Sequence, residues 1–161
     1  MKAHSDEYWM RLALEEAEKA FQEDEVPVGA VIIKDGKVIA RAHNSTESSN
    51  NALAHAEKLA VEQAQKKLGK WFLDCTLYVT LEPCTMCAGA IVLSRINRVV
   101  FGAFDEKNGA CGSLYNVLYD TRLNHNPELK GGVMAYECGE ILKIFFQKKR
   151  TNKDGEVSEL A

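Results

Sequence analysis

Two short stretches hold residue types that can do chemistry together. Cys84 and Cys87 stand three apart in TLEPCTMCAGAIV (80–92), directly after a Glu-Pro, and His55 and Glu57 stand two apart in AHAEKLA (54–60). In the first turn of a helix, positions i and i+3 lie on one side, so both thiols can address one point. Pro83 suits a helix start, where its missing N–H is no loss. The positive end of the helix dipole favours thiolate there. Two adjacent thiolates repel, and a divalent cation between them removes the repulsion; with sulfur ligands, zinc is the expected ion.

A Cys-x-x-Cys pair alone is equally at home in a thioredoxin-like redox protein or a closed zinc clip, so the remaining ligands decide. Cys75 lies nine residues before Cys84 across an extended strand, roughly 30 Å away at about 3.3 Å per residue. Cys111 falls in a loop and Cys138 near the last helix, where buried thiols are common. His4 sits in an N-terminal tail. His55 is the strongest third ligand. Mid-helix, His55 and Glu57 would point about 200° apart, but at a helix's first turn both can face a point beyond its end. Cys2His with one open corner is a catalytic arrangement. Two thiolates and a neutral imidazole leave zinc formally neutral, so a bound water is activated weakly and an adjacent base becomes valuable. Glu57 fits as that base, although a surface helix glutamate is the commonest fate of the residue type.

The chain has 161 residues, 46% hydrophobic and 27% charged, which fits a single globular domain. The predicted domain covers residues 1–153, and 154–161 form a flexible tail. No apolar run approaches a membrane span, and MKAHSDEYWM has no signal-peptide core, so a cytoplasmic location is expected. Five cysteines in a reduced compartment argue against a disulfide framework. The net charge of −3 is uneven: residues 1–26 carry three cations and eight acids, whereas KIFFQKKRTNK (143–153) carries five cations and no acid. A local basic face is therefore compatible with an acidic total.

The elements that must position these residues follow in order. Ser5 reads as an N-cap for a helix over 6–22. VGAVIIKDGKVIARA (28–42) is two β-branched runs around Asp35-Gly36, a hairpin. HNSTESSNN (43–51) is a polar loop, and residues 52–67 read as a second helix ending near Gly69. TLYVTL (76–81) is a strand, Cys84 to Ile96 a helix, and RVVFGA (98–103) a strand, which together make a parallel crossover. A loop, FDEKNGACGS, precedes a short helix near 114–119. GGVMAYE (131–137) reads as the last strand and GEILKIFFQKKR (139–150) as the closing helix. The expected fold class is α/β, one mixed sheet of about five strands flanked by helices.

His55-Ala56-Glu57 and Pro83-Cys84-Thr85-Met86-Cys87 together resemble the H-x-E…P-C-x-x-C signature of zinc nucleobase deaminases. Within that cytidine-deaminase-like superfamily the chain is most similar to the bacterial tRNA-specific adenosine deaminases. EVPVGAVI, HNS, AHAE, TLYVTLEPCTMCAGAIVLSRI, VVFGAFDEKNGACGSLYN, LNHNPE and ILKIFFQKKR match in order and spacing from about Tyr8 to Arg150. The resemblance implies one zinc per chain on His55, Cys84 and Cys87, with Glu57 shuttling protons. It implies hydrolytic conversion of the wobble adenosine of a tRNA anticodon loop to inosine, by a homodimer. It places Asn44 on the purine and Val28 against its face, and assigns the FDEKNGA loop and the final basic helix to RNA. Asp105, Lys107, Lys148, Lys149 and Arg150 are the candidate RNA contacts, and Phe145 or Phe146 either stacks or joins the core. A free-base guanine or cytosine deaminase, a riboflavin-pathway pyrimidine deaminase, a silent zinc RNA-binding module and a redox Cys-x-x-Cys protein are the rival assignments.

Overall fold

A computed structural model describes residues 3–159, with side chains described to 153. Helix α1 spans Asp6–Gln22, and Ser5 caps it by accepting from the Tyr8 N–H at 3.2 Å. Strands β1 (Gly29–Lys34) and β2 (Lys37–His43) form the hairpin, closed by Asp35 at φ 52° and Gly36 at φ 70°. That pair of left-handed residues is the Asp-Gly turn whose twist matches the strands. Helix α2 spans Ala56–Leu68, strand β3 Cys75–Leu81, helix α3 Thr85–Ser94 and strand β4 Arg98–Ala103. Strand β5 is Glu128–Lys130, and α4 runs Ala135–Glu159. The tail expected over 154–161 thus begins inside α4 and ends outside the described residues.

The five strands lie in the order β2-β1-β3-β4-β5. β1 pairs antiparallel with β2 and β3, while β3, β4 and β5 run parallel. This is the mixed α/β sheet expected. Side-chain alternation sorts its two faces. Ala30, Ile32, Leu77, Val79, Val99 and Phe101 pack toward α2 and α3, whereas Val31, Ile33, Tyr78 and Val100 pack with Trp9, Met10 and Ala13 of α1 and Cys138 of α4. Because both faces are covered, the central strands read as continuous apolar runs.

Three expectations need correction. Residues 131–137 are not a strand: Gly132 (φ 88°) and Met134 (φ 55°) turn the chain instead, and α4 begins at Ala135. Gly131 packs so closely on the Phe101 ring that a Cβ would sit 2.3 Å from it. The last strand is the three-residue β5 just before. The second helix starts at Ala56 rather than at 52, and the expected short helix is a single 3-10 turn at Val117–Tyr119.

Gly29 sets how α1 meets the sheet. A Cβ there would lie 2.0 Å from the Ala13 carbonyl oxygen and 2.5 Å from the Ala17 nitrogen, both backbone atoms that cannot swing away. Gly29→Ala is therefore expected to lift α1 from β1 and cost about 3 kcal/mol or more, read as a lowered denaturation midpoint with an unchanged m-value.

Candidate metal centre and cavity

The ends of two helices build the centre. His55 is the N-cap of α2 and Cys84 the N-cap of α3, and neither side chain spends itself on a cap hydrogen bond. Cys87 follows one turn into α3 and is fully buried. His55 Nδ1 lies 3.6 Å from Cys84 Sγ and 3.7 Å from Cys87 Sγ, and the three donor atoms fall within 4.8 Å of one another. Tetrahedral zinc at typical Zn–N and Zn–S lengths separates nitrogen from sulfur by about 3.6 Å. The donor set and its spacing therefore fit zinc. Cys75 and Cys138 are buried away from this cluster, as expected, and Cys111 is a buried thiol of the loop after β4.

Charge at the centre fits the same ion. The two thiols cannot both ionise unaided. The hydrogen bond from the Cys87 thiol, and then the imidazole of His55, bring Cys84 down to about 4. Cys87 moves far upward, because its thiol proton is held in a hydrogen bond to Cys84 and burial disfavours a second thiolate. His55 is raised by its contact with the Cys84 sulfur. A divalent cation at this point stabilises both thiolates and needs the imidazole neutral. Glu57, one residue into α2, is 5% exposed, and burial pushes its carboxyl above the usual range. Glu57 lines a cavity beside His55 and Cys84 but is not one of the three clustered donors, so the carboxylate stands next to the donor set without belonging to it.

The centre opens into a cavity of about 870 Å³. Val28, Asn44, His55, Glu57 and Cys84 line its inner part; Phe104, Asp105 and Lys107 line one wall, and Phe146 and Arg150 enter from α4. Asn44 takes over the capping role that His55 leaves open: its Oδ1 accepts the Ala56 N–H at 2.7 Å. His43, the residue before it, bridges Glu16 and Glu23 at 2.9 Å each and ties that chain end to α1. Asp105 Oδ1 accepts the N–H groups of Lys107 and Asn108, so this acid also shapes its own turn.

The basic helix divides. Arg150 faces the cavity, but Lys149 Nζ lies 2.6 Å from Asp24 and Lys148 Nζ stands 4.9 Å over the Phe21 ring, both drawn toward α1 and the turn after it. Phe145 is buried and Phe146 is 43% exposed in the cavity wall, so the pair splits between core and surface. Two residues given no role from the sequence also belong here. Glu25, 1% exposed, accepts the N–H groups of Glu47 and Ser48 and holds the loop after Asn44. Glu82, 2% exposed, does the same for the loop after β4; burial works against its charge, but donors from Ser113, Asp105 and Cys111 outweigh it and keep it below the usual carboxylate range. Their only signal was an acid inside an apolar stretch, in EVPVG and TLEPC.

The family described as MafB19-like deaminase matches residues 4–150. A tRNA-specific adenosine deaminase of Bacillus subtilis is 52% identical over 92% of this chain and 92% of its own. A solved structure described in studies of A-to-I editing by tRNA:A34 deaminases superposes with a TM-score of 0.80 at 45% identity, covering 84% of this chain and 99% of that one. A solved guanine deaminase of Bacillus subtilis shares the fold less completely, with a TM-score of 0.59 at 39% identity over 63% of this chain and 66% of its own. Ligand spacing, fold and similarity along nearly the whole length agree, and the chain belongs to the family of bacterial tRNA-specific adenosine deaminases.

Proposed function

We propose that this chain, through one domain over residues 1–153, hydrolyses the wobble adenosine of a tRNA anticodon loop to inosine and ammonia. The observation that carries this is the zinc-like spacing of His55, Cys84 and the buried Cys87, with His55, Cys84 and the buried Glu57 lining a cavity. His55, Cys84 and Cys87 would hold the zinc ion, which would supply a Lewis acid that eases deprotonation of a water. Glu57 takes that proton and returns it to a ring nitrogen as the water oxygen adds to the carbon bearing the exocyclic amine; a second transfer through the same carboxyl protonates the amine, the C–N bond breaks and ammonia leaves. Asn44 donates to an acceptor on the ring edge, and Val28 packs against the ring face. Asp105, Lys107 and Arg150 meet the splayed loop nucleotides and their phosphates, with Lys148 and Lys149 adding charge further out.

The cavity favours RNA over a free base. It extends well past the metal ligands to Phe104, Phe146, Lys107 and Arg150, aromatic and cationic wall that a lone guanine or cytosine leaves unused. The protein acts as a homodimer in the cytoplasm. Support for self-association comes from Trp71, Leu73 and Leu93, which are 52%, 60% and 75% exposed and flank the hydrogen bond from the Phe72 N–H to the Ser94 carbonyl. Among the described residues no helix is long and apolar enough to cross a membrane.

The test is an anticodon stem-loop bearing wobble adenosine, with free guanine, cytosine and adenosine in parallel, scoring inosine and ammonia. Turnover of a free base with none of the stem-loop rejects the proposal. Arg150→Ala is expected to weaken stem-loop binding by about tenfold and flatten its salt dependence by about one phosphate contact. Lys149→Ala is expected to do less, because Asp24 already occupies that cation.

A further inference from the structure

We infer that Glu82 is a positioning residue that fixes the RNA-facing wall of the cavity relative to the metal ligands; this rests on the RNA assignment above. Glu82 sits between the end of β3 and Pro83-Cys84, two residues before a metal ligand. Its carboxylate accepts the N–H groups of Asp105 (3.1 Å), Cys111 (3.1 Å) and Ser113 (3.0 Å), and the Ser113 hydroxyl as well. All four donors belong to one loop, the loop whose Asp105, Lys107 and Asn108 line the cavity. All four are uncharged, so the carboxylate organises backbone rather than neutralising a cation.

The loop is cut to admit that carboxylate. A Cβ on Gly109 would lie 2.3 Å from Glu82 Oε2 and 2.5 Å from the Asp105 carbonyl oxygen. A side chain there and the Glu82 carboxylate cannot share the space. The Ala110 N–H donates to the Pro83 carbonyl at 2.8 Å, so the loop is pinned twice to the segment that enters α3. Any movement of Cys84 is therefore passed to the wall, and the distance from the metal corner to the RNA contacts is set by two adjacent residues.

Three variants test the assignment by different chemistry. Glu82→Gln keeps the size but turns an amide NH2 toward N–H donors, Gly109→Ala expels the carboxylate, and Ser113→Ala removes one hydroxyl and spares the backbone. For Glu82→Gln and Gly109→Ala the KM for the anticodon stem-loop is expected to rise about tenfold or more, with kcat within about threefold and zinc still bound. Ser113→Ala is expected to show the same pattern at about two- to threefold. Amide exchange at Asp105, Cys111 and Ser113 is expected to quicken about tenfold in Glu82→Gln. Unchanged exchange overturns the clamp whatever the substrate proves to be. Quickened exchange with unchanged KM, or kcat and zinc falling together in all three variants, overturns the positioning role. A wild-type chain that leaves the stem-loop untouched rejects the RNA assignment instead, while exchange still decides the clamp.

Discussion

Glu57→Gln is expected to lower turnover of the anticodon stem-loop about a thousandfold or more while zinc content, stem-loop affinity and thermal midpoint stay close to wild type. General acid–base groups contribute about 10²–10⁴-fold, and here one carboxyl serves both directions of transfer. Glutamine keeps the size and polarity of a residue that is 5% exposed, so the cavity floor keeps its packing. Because burial raises the Glu57 carboxyl, an uncharged amide is tolerated there at least as well as a carboxylate. Glu57 is no part of the three-donor cluster, so metal content is spared. The measurements are inosine formed in a single turnover, zinc per chain, and a melting curve. Near-normal inosine formation by this variant would falsify the proton-shuttle role.

Metal removal is expected to be as damaging and fully reversible. A strong chelator should abolish activity and leave the fold, because the two cores on either side of the sheet are apolar and include none of the three metal ligands His55, Cys84 and Cys87. Added zinc should restore activity at about one ion per chain, with X-ray absorption giving two sulfurs and one imidazole nitrogen. Cys87→Ala should mimic chelation but without rescue. Binding needs two thiolates and a neutral imidazole, so zinc affinity should fall steeply as pH drops and metal uptake should release protons. Activity in a metal-free protein carrying a Cys84–Cys87 disulfide, or a third sulfur at the metal, rules out the open Cys2His site.

Local signals carried most of the fold. Ser5 and the spacing of Trp9, Ala13, Ala17 and Ala20 mark α1, and Asp35-Gly36 marks the hairpin; each depends on a few neighbouring residues. GGVMAYE was misleading because Val133 to Tyr136 form a short unbroken apolar run after glycines, which reads equally as a buried strand or the start of a helix. The left-handed Gly132 and Met134 turn the chain there, and the close approach of Gly131 to Phe101 depends on a contact 30 residues away in sequence. The metal ligands were legible because their types and spacing are restrictive. Glu25 and Glu82 were not, since apart from the Ser113 hydroxyl their partners are backbone N–H groups of loops more than 20 residues downstream, and main-chain donors leave no mark on residue type. Lys149 shows the reverse limit: composition counted its charge, but not the Asp24 that holds it.

The hydrogen bond between Asn44 and Ala56 has a bearing on what can sit beside it. An amide has one acceptor and one donor end, and the N–H of Ala56 engages one lone pair of the acceptor. Rotation to exchange the two ends would set NH2 against N–H, so the orientation is locked. With that oxygen already engaged, the NH2 is the end of Asn44 with no partner among the described residues, and the proposed purine contact is the one in which an occupant offers it a lone pair. On that proposal, a ring whose corresponding edge carries carbon or a bound hydrogen is expected to bind more weakly than one with a lone pair there, even when its outline fits.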